Sequence, residues 1–115
     1  MRYERLIVER EGPIGWLILN RPEAGNAFDA RMLDELELAW GELDADPEVR
    51  VIVNAANGKA FSTGLDVVQI ARDKAVMREH SRRTRDAELR ISAWHCGVGK
   101  PVIAAVNGVC AGGGL

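Results

Sequence analysis

The chain has 115 residues, which is enough for one small domain and too few for two. Apolar residues make up 47% of it and charged residues 28%, which argues against a disordered chain and against a membrane segment. The net charge of −2 gives no electrostatic reason to expect nucleic acid as a partner.

The first half of the chain predicts two strands followed by a helix. The strands are expected at residues 6–9 and 15–20, joined by a turn at Glu11-Gly12-Pro13. Residues 16–19 form a continuous apolar run, which is typical of a strand covered on both faces. After a break at residues 21–26, Asp29 is a good N-cap for a helix that ends near residues 44–47. Its apolar stripe consists of Met32, Leu33, Leu36, Ala39, Trp40 and Leu43.

The second half repeats this order. A β-branched strand is predicted at residues 49–53, and helices are predicted at residues 67–77 and 81–94, with Asp66 and Gln69 as a possible capping pair. Pro101 opens a strand at residues 102–106, and a turn signal at Asn107-Gly108 precedes a short strand at residues 109–111. The strand–strand–helix pattern therefore recurs along one α/β domain.

The cysteines and the N-terminus indicate where such a protein resides. Cys96 and Cys110 have no His or Cys at metal-binding spacing, so we predict two buried, reduced thiols and no metal site. No long apolar core follows Met1, so no secretory signal is visible. These observations predict a cytoplasmic protein without a membrane partner.

Two glycine-containing bends carry the chemical signal, at residues 60–66 and 111–115. Glycines in such bends leave backbone N–H groups free to point outward at the start of a helix. Two converging N–H groups form an oxyanion hole, whereas one helix start can hold a phosphate. Neither bend matches a phosphate loop or a dinucleotide fingerprint, and neither contains a Lys or Arg. A phosphate-binding regulatory domain is therefore disfavoured.

Three motifs in order resemble those of the crotonase (enoyl-CoA hydratase/isomerase) family. They are Asn-Arg-Pro-x-x-x-Asn-Ala from Asn20, Ala-Phe-Ser-x-Gly-x-Asp from Ala60, and Lys-Pro-Val-Ile-Ala-Ala-Val-Asn-Gly-x-x-x-Gly-Gly-Gly from Lys100. The resemblance covers essentially the whole chain but only about the first half of such an enzyme. It implies a crotonase-like superhelix of strand–strand–helix units, incomplete in this chain, which assembles as a homotrimer or a dimer of trimers when full length.

The resemblance also implies a site that binds acyl-CoA thioesters and needs no cofactor beyond the CoA of the substrate. The family holds an enolate oxyanion with two backbone N–H groups, which by motif position fall on Leu65 and Gly113. Ala27 is expected near the pantetheine, and the backbone from Ala60 to Leu65 near the adenine. The substrate-binding positions implied in this way are Ala27, Ala60, Thr63, Gly64, Asp66 and Gly112.

The sequence departs from the family pattern in two places. Asn54-Ala55-Ala56-Asn57 replaces a turn that is often glycine-rich, which alters a loop without touching the proposed oxyanion site. The first catalytic glutamate of family hydratases would fall just past Leu115, so no residue of this chain is assigned as general acid or base. We expect residues 1–115 to be the N-terminal part of one crotonase-like domain, inactive alone. The alternative is a non-catalytic CoA-binding or assembly module of the same fold.

Overall fold

The two apolar segments at the start of the chain form a β-hairpin. The computed structural model, which describes residues 3–66, 68, 72–75, 78, 79, 82 and 91–114, pairs strand β1 (Leu6–Glu11) antiparallel with β2 (Ile14–Leu19). In β2 the residues at 15, 17 and 19 are buried, while those at 14, 16 and 18 are half-buried. The prediction that this apolar run is covered on both faces is therefore wrong, because only one face of the hairpin packs against the core.

A single amphipathic helix, α1 (Ala30–Ala45), covers the buried face of the hairpin. It begins as predicted, because the Asp29 carboxylate accepts a hydrogen bond from the Met32 N–H over 2.9 Å. The predicted apolar stripe is buried along its whole length. Its members pack with strand residues such as Leu17 and Ile52 in the core.

Glu35 of α1 fastens the N-terminal segment to the helix. Its buried carboxylate accepts hydrogen bonds from the Glu4 N–H at 3.0 Å and the Arg5 N–H at 2.8 Å. Arg31, one turn earlier, donates to the same carboxylate at 2.7 Å. Nearby, burial and a hydrogen bond to the Glu42 carboxylate raise the pKa of Tyr3.

The later strands alternate between two sheets. β3 (Val51–Ala56) and β5 (Val102–Ala104) extend the first sheet in the order β1-β2-β3-β5, with β2, β3 and β5 mutually parallel. β4 (Ala60–Ser62) and β6 (Val109–Cys110) pair in parallel as a second sheet. Successive strand pairs thus stack on one another, as the superhelix of repeated units predicts. None of the helices in the described part is long and apolar enough to span a bilayer.

The helices predicted after residue 66 fall largely outside the described residues, as does Gln69. Residues 91–94, at the end of the second predicted helix, form a bend and a turn instead. The prediction of helix there is wrong, because the Ser92 hydroxyl accepts the His95 N–H over 3.3 Å and so replaces a helical backbone bond. The predicted strand at residues 102–106 is also shorter than expected, ending at Ala104.

Both cysteines are free thiols, as predicted, but neither is fully buried. Cys110 lies on the two-residue strand β6, and its thiol contacts the Gly114 carbonyl at 2.9 Å. Its side chain lines an apolar cavity together with Phe61 and Val102 and is therefore only half-buried. Among the residues that the structure describes, no group of three His, Cys, Asp or Glu side chains is arranged to hold a metal ion.

Candidate functional site

The pairing of β4 with β6 brings the two predicted glycine bends together. Ala60 pairs with Val109 and Ser62 with Cys110, and the Ala111 N–H donates to the Ser62 carbonyl over 3.0 Å. The first bend includes β4 and continues beyond it, and the second bend begins directly after β6. Because the two strands are parallel, the chain leaves both of them at the same end of the sheet.

The glycines allow these bends to approach more closely than side chains would permit. A Cβ added to Gly114 would lie 2.5 Å from the Ser62 carbonyl oxygen, whereas one added to Gly112 would be in ordinary contact, 3.8 Å from the Gly64 Cα. Gly64 and Gly112 also have positive φ values of 96° and 54°. The glycines therefore serve both the turn geometry and the close contact between backbones.

Leu65 lies in an isolated parallel bridge with Phe28. The Phe28 N–H donates to the Gly64 carbonyl at 2.7 Å, and the Asp66 N–H donates to the Phe28 carbonyl at 2.9 Å. Since a strand alternates the direction of its backbone groups, the N–H of Leu65 faces away from Phe28. The Leu65 side chain is half-buried and packs against the core.

Gly113 is the middle residue of a short 3₁₀ turn, Gly112–Gly114. The turn is closed by the Gly114 N–H, which donates to the Ala111 carbonyl at 2.8 Å. Gly112 is exposed at its start, and Gly114 is buried at its end. A 3₁₀ turn follows the strand here, where the sequence predicts the start of a helix.

The remaining predicted binding residues lie around the first bend. Thr63 is exposed, and its N–H donates to the Gly25 carbonyl at 3.1 Å. Ala27 is buried, with its carbonyl accepting a hydrogen bond from Arg21 Nη1 at 3.1 Å. The Ala60 carbonyl accepts from Asn26 Nδ2 at 2.9 Å. The structure therefore brings the segments around Ala27, Ala60 and Thr63 together at one side of the bend.

Two buried polar residues hold these segments together, and sequence reasoning gave neither a role. Asn26, at a φ of 54°, donates through Nδ2 to the Asn57 carbonyl at 2.8 Å and accepts the Arg21 N–H on Oδ1 at 2.7 Å. The Ser62 hydroxyl donates to the Asn26 carbonyl at 2.9 Å and accepts the Gly64 N–H at 3.1 Å. An Asn that directly follows a glycine, as Asn26 follows Gly25, is the signal that could have indicated such a left-handed position.

Asp66, the last residue of the first bend, forms an ion pair with Arg21. Its Oδ2 lies 2.7 Å from Nη1 of Arg21, and both side chains are largely buried. The sequence predicted that no cation lies beside either bend. This prediction is wrong, because the fold brings Arg21 next to Asp66 at the end of the first bend. Arg72 and Lys74 line an open groove of about 630 Å³ next to the same pair.

A second, more apolar cavity of about 230 Å³ lies on the other side of the bends. Phe61 and Gly114 contribute to its wall, together with Trp40 of α1 and Val102 of β5. The buried Oδ1 of Asn54, also in the wall, has no hydrogen-bond partner among the described residues. The departure from the family pattern noted at this position thus places a polar atom in an apolar wall.

Two sheets of partly parallel strands, a covering helix and two apposed glycine bends define, in the described residues, an α/β protein. The family model for enoyl-CoA hydratase/isomerase matches residues 9–115, and the chain belongs to this family. A probable enoyl-CoA hydratase of Rhizobium meliloti is 38% identical over 99% of this chain and 42% of its own length. A short-chain-enoyl-CoA hydratase of Clostridium acetobutylicum is 34% identical over 99% of this chain and 43% of its own length.

Solved structures agree with the fold. An enoyl-CoA hydratase/isomerase from Mycobacterium paratuberculosis has a TM-score of 0.83 at 32% identity, covering 98% of this chain and 44% of its own. A probable enoyl-CoA hydratase from Mycobacterium smegmatis has a TM-score of 0.75 at 40% identity, and the match covers 96% of this chain and 44% of that one. The chain thus spans less than half the length of these relatives and has the crotonase fold over that part.

Proposed function

We propose that this chain supplies the thioester-binding part of an acyl-CoA-processing enzyme, an enoyl-CoA hydratase or isomerase. The observation that carries the proposal is the contact between the two glycine bends across β4 and β6. The N–H groups of Leu65 and Gly113 act as the oxyanion hole. The names of the relatives support an enoyl-CoA substrate.

The proposed reactions need two hydrogen-bond donors at one atom, the carbonyl oxygen of the thioester. Addition of water to a double bond conjugated with a thioester, or migration of that bond, moves negative charge onto the carbonyl oxygen. Two backbone N–H groups stabilise this charge without being consumed, and each is worth about 3 kcal/mol in the transition state. The proton transfers need an acid or base that we assign to no residue of this chain.

The surroundings of the bends suit the rest of the ligand. Ala27, Ala60 and Thr63 offer backbone and small side chains along the first bend, where the pantetheine and adenine of CoA are proposed to lie, with Gly64, Asp66 and Gly112 beside them. Arg72 and Lys74 near Asp66 match the negative charge of the CoA phosphates. No cofactor apart from CoA is proposed, and the full-length enzyme is proposed to form trimers or dimers of trimers.

The test removes one N–H without changing a side chain. In the full-length enzyme, incorporating the α-hydroxy analogue of leucine at position 65 converts the amide to an ester. Loss of this donor is expected to lower kcat by about a hundredfold, while acyl-CoA still binds. Leu65→Ala, which keeps the N–H, is expected to retain most of the activity and serves as the matched control.

Gly113 is tested in the same way. Gly113→Ala retains the N–H and Gly113→Pro removes it, so only the proline variant is expected to lose turnover by about a hundredfold. A folded Gly113→Pro enzyme that binds acyl-CoA and turns over at the parent rate would contradict the assignment. Acyl-CoA binding without any turnover in the parent protein would instead favour the non-catalytic binding module.

A further inference from the structure

The bridge between Phe28 and Leu65 is short, yet it controls the direction of the Leu65 N–H. It consists of the two hydrogen bonds that Phe28 makes with Gly64 and Asp66, on either side of Leu65. Beyond this isolated bridge, the two segments form no continuous ladder with each other. The Asn26 and Ser62 hydrogen bonds hold the first bend only up to Gly64, so further restraint of the peptide plane at Leu65 has to come from the Asp66 side.

Arg21 supplies this restraint from outside the bridge. Its Nη1 donates to the Ala27 carbonyl at 3.1 Å and to Asp66 Oδ2 at 2.7 Å. Ala27 directly precedes Phe28, and Asp66 directly follows Leu65. One nitrogen atom therefore links Ala27 with Asp66, which are sequence neighbours of the two bridge partners.

The arginine is itself held rigidly. Its own N–H donates to the buried Asn26 Oδ1 at 2.7 Å, and its Nε lies 3.7 Å from the Asp29 carboxylate. The Arg21 side chain is only 17% exposed and that of Asp66 only 14%, so solvent screens the pair weakly. Charge-assisted hydrogen bonds at such sites are stronger and shorter than neutral ones.

We infer that Arg21 and Asp66 are positioning residues, which orient the Leu65 N–H toward the thioester oxygen by bracing the Phe28–Leu65 bridge. This inference rests on the proposed function, since it assigns a role to the same oxyanion donor. Neither side chain needs to touch the substrate. The effect on rate comes through geometry, because a displacement of about 1 Å at a reacting group can cost about a hundredfold in rate.

The experiment compares four variants of the full-length enzyme. Arg21→Lys keeps the charge but loses the planar guanidinium, and Asp66→Ala removes the acceptor. Both are expected to lower kcat at least about tenfold while KM for the enoyl-CoA changes less than about threefold. Asp66→Asn retains an acceptor oxygen and is expected to restore most of kcat. Arg5→Lys is the control, because Arg5 contacts the same Asp29 Oδ2 at 3.0 Å without reaching the bend.

A spectroscopic readout separates positioning from general loss of structure. The isotope-edited infrared band of the bound thioester carbonyl is expected to shift to lower frequency in the parent enzyme and in Arg5→Lys. The shift should shrink in Arg21→Lys and Asp66→Ala and return in Asp66→Asn. If Arg21→Lys does not fold, comparing the carbonyl shift of Asp66→Ala with that of Asp66→Asn provides the same test.

Three results would overturn the inference. Folded Arg21→Lys and Asp66→Ala enzymes with the parent kcat and carbonyl shift would show that the brace is dispensable. A folded Asp66→Ala enzyme that keeps the parent carbonyl shift but loses turnover would assign the carboxylate itself to the chemistry. A parent enzyme that binds enoyl-CoA without any carbonyl shift would reject the proposed oxyanion hole, and the positioning role with it.

Discussion

Asn26 is the residue on which the loop before α1 depends most. It is fully buried and links the Arg21 N–H with the Asn57 and Ala60 carbonyls through three hydrogen bonds. It also adopts the left-handed backbone that Asn tolerates better than other side chains do. A residue lacking the amide would leave these backbone groups unpaired in a closed site.

Asn26→Ala is therefore expected to lower the free energy of unfolding by about 3 kcal/mol, from lost hydrogen bonds and desolvated partners. Chemical denaturation measures the change. Asn57→Ala is the matched control, since its side chain makes an exposed hydrogen bond to Asn20 at 3.1 Å and should cost below about 1 kcal/mol. Equal losses in the two variants would show that burial of Asn26 does not matter.

At the residue scale, the sequence predicted the two glycine bends, and the structure confirms that they lie together. The assignment of Leu65 and Gly113 as donors rests on motif positions and stays a prediction. The partners of Arg21 and Ser62 could not be predicted, because they lie 45 and 36 positions away along the chain. Nothing local in the sequence indicates which distant carbonyl or carboxylate a polar side chain will meet.

At the scale of elements, Glu35 shows how one helix residue fixes a neighbouring strand. Its carboxylate accepts two backbone N–H groups just before β1, which a helix stripe of apolar residues cannot do. Glu35→Ala is expected to destabilise the protein by about 2 kcal/mol, because those two N–H groups lose a charged acceptor. Thermal or chemical unfolding provides the measurement.

Glu37→Ala on the exposed side of the same helix is the comparison for Glu35. Surface charges contribute little, so this variant should stay within about 0.5 kcal/mol of the parent. Hydrogen exchange at the amides of Glu4 and Arg5 gives a local check, since only the Glu35 variant should accelerate it. Unchanged protection in Glu35→Ala would mean that the carboxylate does not hold the segment.

Elements with a strong internal signal were the predictable ones. The helix α1 was confirmed with its cap, its stripe and its end, because its apolar periodicity matches its burial. The partner of β6 could not be derived, since the turn signal at Asn107-Gly108 is compatible with a hairpin to the preceding strand. The structure pairs β6 with β4 instead, and two residues carry too little pattern to indicate this.

At the scale of the whole molecule, an apolar surface lies along β5 and β6. Val102, Ile103, Val106 and Val109 are all exposed, Ile103 to 57%. Strand β5 is also the last strand in its sheet. An exposed apolar edge of this kind favours association with other chains or with hydrophobic probes.

The 115-residue chain by itself is therefore expected to bind a hydrophobic dye and to self-associate in sedimentation experiments. Ile103→Lys should reduce both, because it places a charge on the open edge. Leu38→Lys on α1 is the matched control, as Leu38 is 53% exposed but lies away from that edge, and it should change neither. A monomeric parent chain without dye binding would be inconsistent with this expectation.

The β4–β6 pairing also has a consequence for the order in which the protein folds. Its ends are far apart along the chain: Asn107, next to β6, donates to the Gly58 carbonyl 49 positions away. Closing a loop of about that length costs about 3 kcal/mol of chain entropy, and strands of three and two residues return little, so the pairing depends on β3 and β5, which join the same two regions in the first sheet. The two bends therefore meet only after the first sheet and α1 have formed, and they separate first when the protein opens locally. We therefore expect a ligand that contacts both bends to stabilise their pairing, so that its binding is coupled to this folding step.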